Sequence, residues 1–184
     1  MYNGLSGYHR RHSPTHPFLD QILAKWPEEQ KNTVYLLINK YGLPNDACMT
    51  KITWYNNAPW KRTTVHLHTV PHNSPTPHLD YLEQTIDYKV PVQCFDDLAQ
   101  FDGSLYLDRT AGEATARCDQ EAANFMALNL MSDIVTGKRT VEDARRAAVE
   151  IEKAFRLHGQ YSPYTTEFLF PKQFHTADPD VASF

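Results

Sequence analysis

The sequence predicts a single α+β domain: a four-stranded antiparallel sheet made of two β-hairpins and packed by helices. Three observations carry this prediction. Two pairs of short alternating segments, about 51–69 and 104–118, can each fold back in a register that gathers every apolar side chain on one face. Two long segments, about 119–136 and 140–158, repeat apolar residues at helical spacing. At 184 residues and 41% hydrophobic content, the chain can bury one sizeable core without disulfide staples.

Residues 1–16 read as a flexible arm whose basic cluster is His9-Arg10-Arg11-His12. Pro17 suits the first turn of a short helix from Phe18 to Lys25. Pro27 opens a second helix in which Val34, Leu37, Ile38 and Tyr41 recur at helical spacing, and Gly42 and Pro44 stop it. In the first hairpin, Ile52 pairs with Val65 and Trp54 with Thr63. Leu79 to Tyr88 and Val92 to Phe101 read as two short helices. The second hairpin turns at Ala111-Gly112 and pairs Leu107 with Ala116 and Leu105 with Cys118. The pattern is helix-helix-strand-strand twice, an αα-ββ pseudo-repeat over 17–69 and 79–118.

Asp119 to Thr136 is rich enough in apolar residues to be the central core helix, ended by Gly137. The last long helix starts at Thr140, with Asp143 three residues on as a short capping-box acid. Its apolar positions are Val141, Ala144, Ala148, Ile151 and Phe155, and Glu142–Arg146 and Glu152–Arg156 fit exposed ion pairs. Residues 159–184 carry six aromatic side chains and Leu169 without a period, so this extension is expected to pack on the domain or on a partner subunit.

The Tyr41-Gly42-Leu43-Pro44 stop followed by a strand bearing Trp54 is similar to the helix-helix-hairpin modules of the SmpA/OmlA outer-membrane lipoproteins and the β-lactamase-inhibitor proteins. The resemblance covers about residues 28–69 and implies architecture alone.

Composition narrows the function classes. A formal charge of −4 supplies no general pull toward nucleic acid. Three cysteines, an odd number with no C-x-x-C pair, fit a reducing compartment rather than a disulfide framework or zinc finger. Met1 to Gly7 lacks the apolar run of a secretory signal, and no stretch approaches the roughly 20 apolar residues that span a bilayer. A cytoplasmic protein with no membrane role is the expectation. Seven glycines and no phosphate loop, G-x-S-x-G or H-E-x-x-H argue against a nucleotide fold or a familiar hydrolase signature.

The stretch from Val65 to Asp80 holds four of the nine histidines and three prolines. His72, His78, Asp80 and Glu83 form the leading site: imidazoles and carboxylates ligate metals and move protons, and prolines restrict the loop that presents them. Zinc, iron or manganese would suit this mixed set. Helix capping, with Asp80 or a neighbouring residue as the cap and Glu83 closing it, accounts for the carboxylates without any chemistry and is the favoured explanation of them. His66 and His68 share a strand face as a two-histidine clamp would, but Lys51 opposite His66 favours a solvated face. Trp60, Lys61 and Arg62 at the hairpin turn could hold a ligand or partner. Tyr106 and Arg117 form a further contact pair, cross-strand neighbours with Asp108 diagonal. Two functions follow. The first is a cytoplasmic binding or accessory protein, self-associating or held by a protein partner. The second is a small metal-assisted or acid–base enzyme centred on His72, His78, Asp80 and Glu83, its pocket between the Pro71–Leu79 loop and the Trp60 turn.

Overall fold

The computed structural model describes residues 17–184, so the expectation for residues 1–16 lies outside the described residues. Two helices, α1 (Pro17–Leu23) and α2 (Glu28–Tyr41), precede the short strand β1 (Asp46–Ala47) and then β2 (Lys51–Tyr55), β3 (Arg62–His72) and β4 (His78–Asp87). A 3-10 turn at Val92–Cys94 leads into α3 (Phe95–Phe101), followed by β5 (Leu105–Asp108) and β6 (Glu113–Cys118). Three helices close the chain: α4 (Glu121–Val135), α5 (Val141–His158) and α6 (Pro163–Thr166). Every strand pairing is antiparallel, in the order β1-β2-β3-β4-β6-β5.

The sheet therefore has six strands among the described residues, not four, within the expected α+β class. The largest correction is β4, where a helix from Leu79 to Tyr88 was expected. Leu79, Leu82 and Ile86 mimic helical spacing, but β4 lies in the middle of the sheet and most of its residues are buried on both faces. Burial on both sides erases the period-two signal that marks a half-exposed strand. Instead of a helix-helix-strand-strand repeat, the chain carries an extended β3–β4 ribbon through its centre.

The first hairpin has the expected register, Ile52 opposite Val65 and Trp54 opposite Thr63. The second is displaced by two residues: Leu105 pairs with Ala116 and Leu107 with Ala114. Its loop ends at Gly112, whose φ of 66° only glycine adopts easily, and a Cβ there would lie 2.2 Å from the backbone of Thr176. Because the slip is even, the same apolar residues still face inward. It also places Tyr106 opposite Thr115 rather than Arg117, and Asp108 opposite Glu113.

One face of the sheet packs on the helices. Ile52, Trp54, Val65 and Leu82 join α1 and α2 in one buried cluster. Ile86, Ala114 and Ala116 join α3, α4 and α5 in another. The α4 helix is the centrepiece, buried from Ala123 to Ile134. Thr140 caps α5 by accepting the Asp143 amide, and Gly159 ends the helix in the left-handed region. On α5, Arg156 meets Glu152 as expected, but Arg146 pairs with Asp143 rather than Glu142. The reverse face of the sheet is polar: Thr53 bonds Thr64, and Thr85 bonds Thr115.

The C-terminal segment folds back over its own domain. The Asn129 side chain donates to the carbonyls of Tyr164 and Glu167 and accepts the Leu169 amide. Phe168 then packs edge-on against Trp60, with ring centroids 5.1 Å apart. Among the described residues, no helix is long and apolar enough to cross a membrane.

Candidate functional site

The site lies at the far end of the β3–β4 ribbon, and a local irregularity of β3 creates it. The pairing is regular up to Val65–Leu82 and resumes at Val70–Asp80, so β3 spends five residues where β4 spends two. That bulge reverses which side the following β3 residues face. His72 then pairs directly with His78 and comes onto the same face as His78 and Asp80. The two rings are 4.9 Å apart at their centroids. One ligand atom from each of His72, His78 and Asp80 can be chosen so that all lie within 4.8 Å of one another.

Each side chain is oriented from outside. The Nδ1–H of His78 donates to the Thr76 carbonyl at 2.7 Å, so the Nε2 lone pair of the neutral ring faces inward. That Nε2 lies 3.1 Å from Asp80 Oδ1 and 3.2 Å from Cys118 Sγ. His72 directs Nδ1 toward Asp80 Oδ2 at 3.5 Å, while its Nε2 lies 3.8 Å from Asp102 Oδ1. Ser104, on the turn into β5, donates its hydroxyl to Asp80 Oδ2. Asp80 is completely buried, yet its Oδ1 makes no hydrogen bond, because the approach of His78 lacks hydrogen-bonding geometry. Leaving such an oxygen unsatisfied costs about 1–3 kcal/mol, and more when it is charged.

A cavity of about 20 Å³ adjoins these groups, lined by His72, His78, Asp102, Cys118 and Glu152 among others. Burial raises the carboxyls of Asp102 and Glu152 and the thiol of Cys118 above their ordinary values. Burial also opposes a charge on His78, but Asp80, the Thr76 carbonyl and Asp119 together outweigh it and raise that imidazole. Beyond the cavity, Arg156 grips Asp119 with two bonds of 2.7 and 2.8 Å and also donates to Glu152. Burial works against the Asp119 carboxylate as well, but Arg156 holds its carboxyl below the usual range.

Glu83 does not belong to the site. Three residues separate it from Asp80, which on a helix would align them but on a strand places them on opposite faces. It meets His66 instead, at 3.3 Å on the polar face, and that contact, opposed by burial, lowers its carboxyl pKa. Lys51 does lie opposite His66, and His68 is exposed.

The Trp60 side chain is buried, although with Lys61, Phe168, Phe170 and Lys172 it lines a cleft of about 330 Å³. Trp60 is only 2% exposed, donates to Glu121 at 2.7 Å and packs on Phe125. Lys61 is held by Asp87 and Glu113, and Arg62 by Glu113. Arg117 lies over the Tyr106 ring and bonds its hydroxyl, so this pair meets diagonally. Trp60 and the His72–His78 pair stand at opposite ends of β3.

Sequence reasoning missed Asp102, Ser104, Cys118 and Glu152 as neighbours of the histidines. Their approach depends on β4 pairing with β6 and on α5 crossing the end of the sheet, which no local spacing reveals. Glu152 and Arg156 were visible only as an ion pair, whereas Glu152 is just 3% exposed. No protein-family model, curated protein or solved structure matches the chain.

Proposed function

We propose that the protein binds one divalent transition metal through His72 Nδ1, His78 Nε2 and Asp80 Oδ1, and that the centre serves a small metal-assisted enzyme. The observation that carries this reading is the buried Asp80 Oδ1, which makes no hydrogen bond although His78 Nε2 stands 3.1 Å away. Two acceptors at that distance repel unless a proton or a metal cation lies between them. Tetrahedral ligands on bonds of about 2.0–2.1 Å stand roughly 3.3 Å apart, which the 3.1 Å between His78 Nε2 and Asp80 Oδ1 approaches, and the three ligand atoms all lie within 4.8 Å of one another. The supports from Thr76, Asp102 and Ser104 are the outer partners that ligating histidines and carboxylates need.

A two-nitrogen, one-oxygen set suits zinc first and iron or manganese next. Three protein ligands leave a coordination position for water or substrate, the mark of a catalytic rather than a structural centre. Protein purified without a histidine tag should carry about one metal per chain by elemental analysis. His78→Ala and Asp80→Asn should each remove it. Substoichiometric metal unaffected by His78→Ala would sink the reading.

The second reading is a binding or accessory protein that self-associates. Trp60 lends it nothing, being buried, but Tyr161, Leu157 and Phe174 are 60%, 71% and 70% exposed. Sedimentation equilibrium decides it: a strict monomer at all concentrations removes this support.

A further inference from the structure

We propose that the site hydrolyses a small anionic ester or amide, with Glu152 as its catalytic acid–base residue and the cleft between the β3–β4 turn and α5 as the substrate seat. The inference rests on the metal reading above and assigns its reaction and substrate class.

Glu152 is placed for two tasks at once. It lines the 20 Å³ cavity together with His72, His78 and Cys118. It also lines a neighbouring cleft of about 240 Å³, whose other walls are Pro75, Thr76, Val149, Lys153, Arg156 and Leu157. The smaller cavity is the size of one water, since a site needs roughly 10–15 Å³ to hold one. The cleft falls just under the roughly 300–1,000 Å³ of ordinary ligand pockets, so it suits a small molecule. Pro75 and Glu152 border both spaces, so a bond seated at the inner end of the cleft comes beside the water position.

The carboxylate itself is divided in function. Oε1 accepts the Arg156 Nε–H, and Arg156 is fixed by its double bond to Asp119. Oε2 is buried and makes no hydrogen bond. One oxygen is thus a fixed handle and the other is free for a proton, the arrangement a positioned acid–base group requires. The cleft wall supplies one cationic side chain not committed to Asp119 and Glu152, Lys153, beside the apolar Val149 and Leu157. Lys153 is paired with Glu150 at 3.2 Å in an exposed contact, which a bound anion can replace at little cost.

The reaction balances without a further reactant. Water oxygen bonds to the carbonyl carbon as its proton passes to Glu152 Oε2, and the carbonyl π pair moves onto oxygen. Collapse of the tetrahedral intermediate breaks the bond to the leaving group, which takes the proton back from Glu152. One water is consumed, and an acid and an alcohol or amine are released. A metal held by His72, His78 and Asp80 would polarise the carbonyl and the water, and Glu152 handles the proton.

The test uses the zinc-loaded full chain with two probes: mono(4-nitrophenyl) succinate, which is anionic, and 4-nitrophenyl butyrate, which is neutral. The zinc-loaded protein should hydrolyse the anionic ester faster than the zinc-free protein does. Glu152→Gln should keep its zinc yet lose about 10²–10⁴-fold in kcat. Lys153→Ala should raise KM for the succinate ester and leave the butyrate ester unchanged. Val149→Trp, which fills the cleft away from the ligands, should retain zinc and lose kcat/KM; it serves if Glu152→Gln fails to fold. Full activity in Glu152→Gln or Val149→Trp, or no zinc-dependent hydrolysis of either ester, overturns this proposal even if zinc binds. Loss of zinc binding in the wild type would instead overturn the metal reading beneath it.

Discussion

Replacing Asp80 by asparagine should stabilise the metal-free protein and destroy its response to metal, a reversal of sign that separates a ligand from an ion-pair partner. The asparagine side chain keeps an oxygen for the Ser104 hydroxyl and presents an N–H₂ where Asp80 Oδ1 now faces His78 Nε2 at 3.1 Å. The uncompensated buried oxygen is removed, and a small side-chain rotation lets the N–H₂ donate to Nε2, which together recover about 1–3 kcal/mol. For a chain of this size, each kcal/mol moves Tm by about 2–4 °C, so the variant should melt about 2–12 °C higher in EDTA. The wild type should overtake it once zinc is added: at a thousandfold excess over Kd the metal contributes about 4.1 kcal/mol, or about 8–16 °C, and the variant gains nothing. Differential scanning calorimetry at pH 8.5 is the assay. The pKa of His78 is raised in the folded chain, so any stability from its charged form is present at low pH and is lost as pH rises through that value. If Asp80 merely paired with a charged His78, removing it would destabilise by about 3–5 kcal/mol. An Asp80→Asn variant that melts lower in EDTA and keeps the zinc shift would refute the reasoning.

Asp102→Asn should weaken zinc affinity about 10–100-fold, read by competition with a chromophoric chelator, because it alters the group that faces the outer nitrogen of His72. Glu121 accepts from Lys40, Tyr41, Trp60 and Gln84, so Glu121→Ala should cost about 2–5 kcal/mol in urea unfolding by leaving buried donors unpaired. Burial opposes the Glu121 carboxylate, but Lys40, Tyr41 and Gln84 hold its folded pKa below the ordinary value. Its stabilisation is therefore present above the unfolded pKa and lost as pH falls through the folded one, and a Glu121→Gln variant should show a shallower acid limb. Asn129→Ala removes three bonds to the C-terminal segment, so limited proteolysis should cut residues 160–184 faster before the core is touched.

The parts of the fold legible in the sequence were those whose apolar and polar residue types alternate or recur with a clear period. β2 and β3 alternate inward and outward residues, so Ile52–Val65 and Trp54–Thr63 followed from a single register. The long helices α4 and α5 declared themselves by period and by the Thr140 cap. β4 did not, because a central strand buried on both faces loses its alternation. The misreading also decided the site: helical spacing enlisted Glu83, and strand geometry sends it to the opposite face beside His66. His72, His78 and Asp80 were legible as a cluster of ligating residues. Their convergence depends on the β3 bulge after Val65, and no turn residue marks that shift. Long-range partners such as Asp102, Ser104 and Glu152 are set by tertiary packing and left no local signal.

Metal content shows whether His72, His78 and Asp80 hold an ion. Tag-free protein, dialysed against metal-free buffer and analysed by inductively coupled plasma mass spectrometry, should carry about one zinc, iron or manganese per chain. A cobalt-substituted sample should show the visible absorption of a coordinated site, and His78→Ala should abolish both signals. Wild-type protein that holds no stoichiometric metal, and takes up none when cobalt or zinc is supplied, would contradict the account.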